Sequence, residues 1–271
     1  TTTTAQAANV FSHLEYYLQI VWPELNVNVV STTEQWAGAA IAGPKSRDML
    51  SKLFPDLDVS NEALPFMGYI ESNLFGVPAR IFRISFSGEL AYEVNVESNY
   101  GLFMWEKMME IGQEFNNQPY GTEALSTLRI EMGHVAGPEL DGRTIPQDVS
   151  LDGLVSKKKD FIGKNSLGKE AFTLENRQKI VGLVPTDRKS SIPEGSHLVE
   201  NEKRPNPKLC HVSSSCWSVE NNNPFSLAIV NDGKNMIGKK LFAVSPLKNT
   251  SIEVEIISSH YVDPEGKRVR S

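Results

Sequence analysis

No stretch of this sequence stays apolar for the ~20 residues that a helix needs to cross a bilayer, so a helical membrane span is not expected. There is no G-x-G-x-x-G and no G-x-x-x-x-G-K-[ST], which argues against a dinucleotide or P-loop phosphate site within the chain. Basic residues are in the minority: 27 Lys and Arg stand against 33 Asp and Glu, for a net charge of -6. That balance gives no support to nucleic-acid binding as the main task, because such binding rests on neutralising phosphates. Only two cysteines occur, Cys210 and Cys216. They read as unpaired thiols of a reducing, cytoplasmic compartment, and with His211 alone beside them they fall short of the four ligands of a structural zinc site. The other histidines, His13, His134, His197 and His260, show no metal-binding spacing, and none has a recognisable Ser or Cys partner for a hydrolytic triad. The first residue is Thr1 rather than Met, so the sequence is expected to be a portion of something longer.

What is present is an ordinary globular composition, 40% hydrophobic and 22% charged, in 271 residues, enough for one large or two smaller cores. Ala8, Phe11, Leu14, Leu18 and Val21 recur at spacings of three and four, which predicts an amphipathic helix over 5–22 that Pro23 ends. NVNVVS (26–31) alternates like a strand, and WAGAAIA (36–42) reads as a buried one. Gly43-Pro44 then leads into a helix over 45–53. Strands are predicted at 68–74 and 77–87 with a turn at Gly76, and again at 91–96. Helices follow at 99–114, with Leu102, Phe103, Trp105, Met108 and Met109 as its core stripe, and at 122–133, closed by Gly133. From about residue 175 the texture becomes short strands between turns, at 179–184, 209–212, 225–230, 241–244 and 251–257. This predicts a small antiparallel barrel or sandwich and two domains, 1–175 and 176–271.

The chemistry in these stretches is sparse. In RISFSGELAYEV (83–94) Gly88 permits a sharp bend between two strands, and Glu89 and Glu93 lie four apart across it. A carboxylate beside such a break is placed to accept the paired N–H donors of an aminopyrimidine edge. By residue type alone, both glutamates read as exposed charges on a half-buried strand. Arg129 and Glu131 on the predicted helix read as an ordinary ion pair, and Lys157–Lys159 as a solvated run or a landing site for an acidic tail. His134 sits just past Gly133, where it has the chemistry to titrate near neutral pH.

The order of several longer stretches says more. TEQWAGAAIAGPKSRDML (33–50) contains a G-P-x-S-R-x-x-L turn and helix; RISFSGELAYEV follows; GTEALSTLRIEMG and DFIGKNSL complete the series across 121–167. Together they resemble the aminomethyltransferase, or glycine-cleavage T-protein, family. The wording from GTEAL through DGRTIPQD, with LCHVSSSCWS (209–218) and HYVDPEGKR (260–268), resembles its sarcosine oxidase alpha branch. The resemblance covers essentially the whole chain. It implies an α+β fold: a folate-binding domain with a ferredoxin-like element, and a C-terminal antiparallel β-barrel.

The same resemblance implies tetrahydrofolate as the bound cofactor. Glu93 matches the family glutamate that holds the pterin ring, Tyr92 and Leu90 would line the pocket, and Thr1–Thr4, Thr3 among them, would border it. Leu125 stands where the family has an arginine, so that arginine's contact with the cofactor is either lost here or supplied from elsewhere, with Arg129, one helical turn on, as the residue to supply it. The aspartate that the family uses in methylene transfer lies upstream of Thr1, so no catalytic residue is assigned. The implied activity is formation of 5,10-methylenetetrahydrofolate from the imine left by oxidative demethylation of sarcosine. The implied partners are the other sarcosine oxidase subunits, including a flavin-bearing beta subunit, with FAD, FMN and NAD held only in the rest of that complex. A glycine-cleavage-type aminomethyltransferase and a non-catalytic folate-binding scaffold are the alternatives. A further relative, the folate-dependent iron–sulfur maintenance protein, carries a cysteine where this chain has Lys159–Lys164 without one.

Overall fold

A computed structural model describes residues 4–203 and 210–271. The chain condenses into two units: Thr1–Ser85 with Leu90–Gln118 and Arg270–Ser271, and Phe86–Glu89 with Pro119–Val269.

The first unit is built on a four-stranded sheet. The apolar run forms β1 (Trp36–Ala42), and β2 (Tyr69–Leu74), β3 (Val77–Phe82) and β4 (Ala91–Glu97) complete it in the order β1-β4-β3-β2, all neighbours antiparallel. Phe75 and Gly76 both take positive φ, +49° and +91°, the two-residue turn that matches strand twist. One face of the sheet is dry. Ile41, Ile81, Tyr92, Val94 and Val96 pack there with Met49, Leu50 and Leu53 of helix α2 (Ser46–Leu53) and Met104 and Met108 of α3 (Gly101–Gly112). A further helix, α1, precedes the sheet, Ala7–Tyr16 with a π-helical turn through Val21, and none of its residues is buried.

One expectation fails here and another holds in part. Residues 26–31 form no strand, and Val27 and Val30 are 53% and 74% exposed. Alternation makes a strand only where a partner edge takes up its backbone N–H and C=O groups; β1 ends the sheet with one edge open, and 26–31 does not pair with it. The expected stripe of α3 holds in part: Met108 is buried and Phe103 packs against the core, Met104 joins them, and Leu102 and Trp105 face outward.

The second unit is a closed antiparallel barrel with an appended helix. Strands β5 (Gln178–Pro185), β6 (His197–Val199), β7 (Cys210–Ser218), β8 (Asn223–Asn231), β9 (Lys240–Ser245) and β10 (Thr250–Ile257) close in the order β10-β5-β8-β7-β6-β9. Closure leaves no free strand edge in the barrel. Its interior holds Val181, Leu183, Leu198, Val230, Leu241 and Val254. Cys216 on β7 is a free thiol, and burial beside Glu131 pushes it up to about 12, so it stays protonated at neutral pH. The division expected at 175/176 falls just ahead of β5, where the barrel begins, but this compact unit reaches back to Pro119.

The reason lies in helix α4 (Thr122–Glu131). Ile130 packs with Phe225, Leu227 and Val184 of the barrel, and Glu131 accepts a hydrogen bond from Ser218 at 2.6 Å. Arg129 donates to Glu139 at 2.9 Å and to Ser214 at 2.8 Å. Ser214 in turn donates to the other oxygen of Glu139, at 2.6 Å. Arg129 and Glu139 are 6% and 0% exposed, so each is the other's required partner. Gly133 closes α4 at φ +71°, as expected, with Ser259 O only 2.6 Å from where a Cβ would stand. Removing one member of a buried pair strands the other. Glu139→Ala is therefore expected to lower unfolding free energy by about 3–5 kcal/mol. Asp160→Ala breaks a pair whose carboxylate is 98% exposed and is expected to cost under ~1 kcal/mol. Urea denaturation of the two variants measures the contrast.

Candidate functional site

The face of the sheet turned away from α2 and α3 is where the unused chemistry collects. Side chains alternate along a strand, so Glu93 and Asn95 point opposite to Tyr92, Val94 and Val96. Glu93 stands directly across from Phe82 on β3 and Ala40 on β1; Asn95 stands across from Arg80 and Gly38. Directly opposed residues share a face. The Arg80 guanidinium lies 3.9 Å from the Trp36 ring centre and 3.5 Å from Glu71. The Phe82 and Tyr69 rings meet at 4.9 Å. Gly38 leaves room for Asn95: a Cβ there would sit 2.6 Å from the Asn95 amide oxygen and would turn that side chain aside.

Phe11 and Leu14 of the first helix, the segment Val30–Thr33, and Trp36, Arg80, Phe82 and Asn95 enclose a cleft of about 460 Å³. That volume suits a small organic ligand. The lining joins flat aromatic surface to a few polar groups, one of them cationic.

Glu93 is the electrostatic anomaly of this face. It is half-buried and its carboxylate has no partner among the described residues; burial pushes its pKa up from the ordinary carboxylate range. Glu89, the other glutamate of the bend, differs. Arg268 donates to Glu89 at 2.8 Å and to Glu220 at 2.9 Å, so Glu89 is part of an ion-pair network within the second unit. Gly88, just ahead of Glu89, has φ +84°, and the Met132 side chain occupies the space a Cβ would need. Only glycine makes that bend.

The remaining expected site residues are dispersed. Tyr92 is fully buried on the core face, with its hydroxyl beside Arg47 and Arg83; burial raises its pKa. Leu90 is 5% exposed within the same core, and its carbonyl accepts from Gly43 N–H and the Ser46 hydroxyl. The pleat thus separates both from Glu93. Arg129 belongs to the second unit and is engaged there by Glu139 and Ser214. Thr3 lies outside the described residues. His134 hydrogen-bonds the Phe86 carbonyl at 2.9 Å, and Lys157–Lys159 form an exposed run. Sequence reasoning missed Trp36, Arg80, Phe82 and Asn95. The available signal was parity: Asn95 is two positions from Glu93, and β3 must face β4 somewhere in Val77–Phe82.

Comparison with known proteins places this geometry in a lineage. Residues 1–159 match the GCVT N-terminal domain family. The chain is 40% identical over 280 residues to the sarcosine oxidase subunit alpha of Rhizobium meliloti, covering 99% of this chain and 28% of that protein. It is 42% identical over 273 residues to the same subunit of a Corynebacterium species, covering 98% and 28% respectively. The chain therefore spans little more than a quarter of the length of these relatives. An aminomethyltransferase of a Thermoanaerobacter species is 28% identical over 245 residues, covering 89% of this chain and 64% of that one. The crystal structure of glycine cleavage system aminomethyltransferase T from Bartonella henselae superposes with a TM-score of 0.74, covering 96% of this chain and 67% of that one. At 22% identity that likeness speaks for the fold. With residues 1–159 of 271 matched, a span that includes the sheet carrying Glu93 and helix α4, the chain belongs to the GCVT N-terminal domain family.

Proposed function

We propose that this chain is the tetrahydrofolate-binding, one-carbon-transfer region of a sarcosine oxidase alpha subunit. The observation that carries the reading is Glu93: a half-buried carboxylate without a partner among the described residues, on the sheet face that also lines an aromatic cleft. The aminopyrimidine edge of a pterin presents two parallel N–H donors, and one ionised carboxylate accepts both. Phe82, directly opposite Glu93, and Trp36 offer flat apolar surface for the ring system. The residues present therefore fit the cofactor's recognition chemistry.

Tetrahydrofolate supplies the two nitrogen atoms that take up a methylene carbon. The reaction proposed for the parent enzyme begins with the imine of sarcosine. Its CH2 carbon would pass to those nitrogens and their two N–H protons to the amine nitrogen, which would release glycine and 5,10-methylenetetrahydrofolate. This chain's part is positioning and exclusion of water. Glu93 fixes the ring edge, and the apolar cleft walls limit hydration. We assign no proton carrier among its residues. The imine would come from a flavin-bearing partner subunit, with flavin and NAD held outside this chain, in the cytoplasm. Identities of 40–42% to sarcosine oxidase alpha subunits, against 28% to an aminomethyltransferase, favour this branch over glycine cleavage.

Calorimetric titration with 5-formyltetrahydrofolate, a stable reduced folate, tests the reading. Binding near one per chain is expected, and Glu93→Gln should weaken it about 5- to 150-fold, the cost of leaving buried donors without their acceptor. Unchanged affinity removes Glu93 from the site. No binding, by this chain or by the full-length protein, would turn the reading to a scaffold. The pH dependence has a definite sign. Because burial raises the Glu93 pKa, affinity is expected to be flat at neutral pH and to fall as acidification protonates the carboxyl, while Glu93→Gln stays flat. Stability runs the other way. A carboxyl with a raised folded-state pKa lowers stability as pH climbs from the unfolded value through the folded one. Glu93→Gln should thus gain in melting temperature over the parent at pH 7 and lose that gain near pH 4.

A further inference from the structure

Two arginines from the stretches GPKSRDML and RISFSGELAYEV take no part in the cleft, yet they meet in the first unit. Arg47 stands in the first turn of α2, and Arg83 follows β3. Arg83 is 1% exposed. Its backbone prolongs the strand pairing: its N–H donates to Gly68 O and its C=O accepts from Met67 N–H, both at 2.9 Å. One end of its guanidinium donates to Leu64 O at 3.0 Å and the other to Ser271 O at 2.8 Å. Arg47 donates to that same Ser271 oxygen at 2.6 Å and to Asn61 at 2.7 Å. Beside it the Arg270 guanidinium lies 5.3 Å from the centre of the Phe66 ring.

Two like charges brought together repel, and a guanidinium taken out of water must find acceptors. Here the convergence is organised around one backbone oxygen, that of Ser271, from a segment far away in sequence. Asn61 and Leu64 hold the arginines in place, and Phe66 offers a ring face to the preceding cation. We propose that Arg47 and Arg83 form a receptor for a peptide segment, occupied by Arg270–Ser271, with Phe66 as the subsite for the arginine side chain. The receptor lies on the core side of β3 and β4 and is independent of the folate reading.

A double-mutant cycle on the chain decides it, using the parent, a chain ending at Val269, Arg47→Gln, and the two changes combined. The chain ending at Val269 is expected to melt at least about 4 °C lower and to exchange amide protons faster at Leu64–Gly68. In the Arg47→Gln background the same deletion should cost clearly less, because its acceptor has already been deprived of one donor. The free peptide Lys-Arg-Val-Arg-Ser at millimolar concentration should restore part of the melting temperature of the shortened chain and leave the parent unchanged. Strictly additive effects, or failure of the peptide to raise the melting temperature above that given by a scrambled sequence, would overturn the receptor. Arg47 is the residue varied because it is only partly buried, so a folded variant is expected.

Discussion

Everything at the candidate site depends on the pleat of one central strand. β4 is bonded on both sides, to β1 and β3, and its residues go alternately into the core and away from it. Tyr92, Val94 and Val96 are completely buried, which locks the register. The parity that puts Tyr92 inside puts Glu93 outside, and it cannot be altered by one residue without exposing three apolar side chains and burying two polar ones. The position of the candidate ligand-binding carboxylate is thus held by the hydrophobic effect acting on its neighbours.

The carboxylates of the chain then sort themselves by whether their charge is answered. Glu139 and Asp148 are wholly buried and each faces an arginine, Arg129 and Arg177. Glu131 takes a serine hydroxyl and Glu89 a partly exposed arginine. These hold the second unit together, tying α4 and its loops to the barrel. Glu93 is half-buried and unanswered among the described residues, an arrangement that lowers stability and that the proposed ligand would answer. Arg129 illustrates the opposite case. A family motif suggests a cofactor contact, but the local electrostatics bind it to Glu139.

Much of this was legible beforehand, for reasons that separate local from non-local physics. β1 and the helix after Gly43-Pro44 follow from an apolar run and a helix-start signal, and the barrel strands from β-branched segments between turns. Those signals are contained within a few residues. β6, three residues long, offers no pattern to detect, and 26–31 offers a pattern without a partner. The site divides likewise. Glu93 emerged from resemblance, since by type it was one more surface glutamate. Trp36, Arg80 and Phe82 become its neighbours only through strand register, and Arg47 meets Arg83 only through tertiary folding. Neither is written in any window of sequence.

The close approach of Gly38 to Asn95 has a consequence for how such a sheet can change over time. The two positions, more than fifty residues apart, occupy one volume: a methyl group at 38 would have to take the place now filled by the amide oxygen at 95. The atom in the way is the tip of a side chain and not backbone, so Asn95 is the partner that gives. Enlarging position 38 turns that amide aside or favours a shorter residue at 95, and homologous chains are expected to show size at the two positions varying together across β1 and β4.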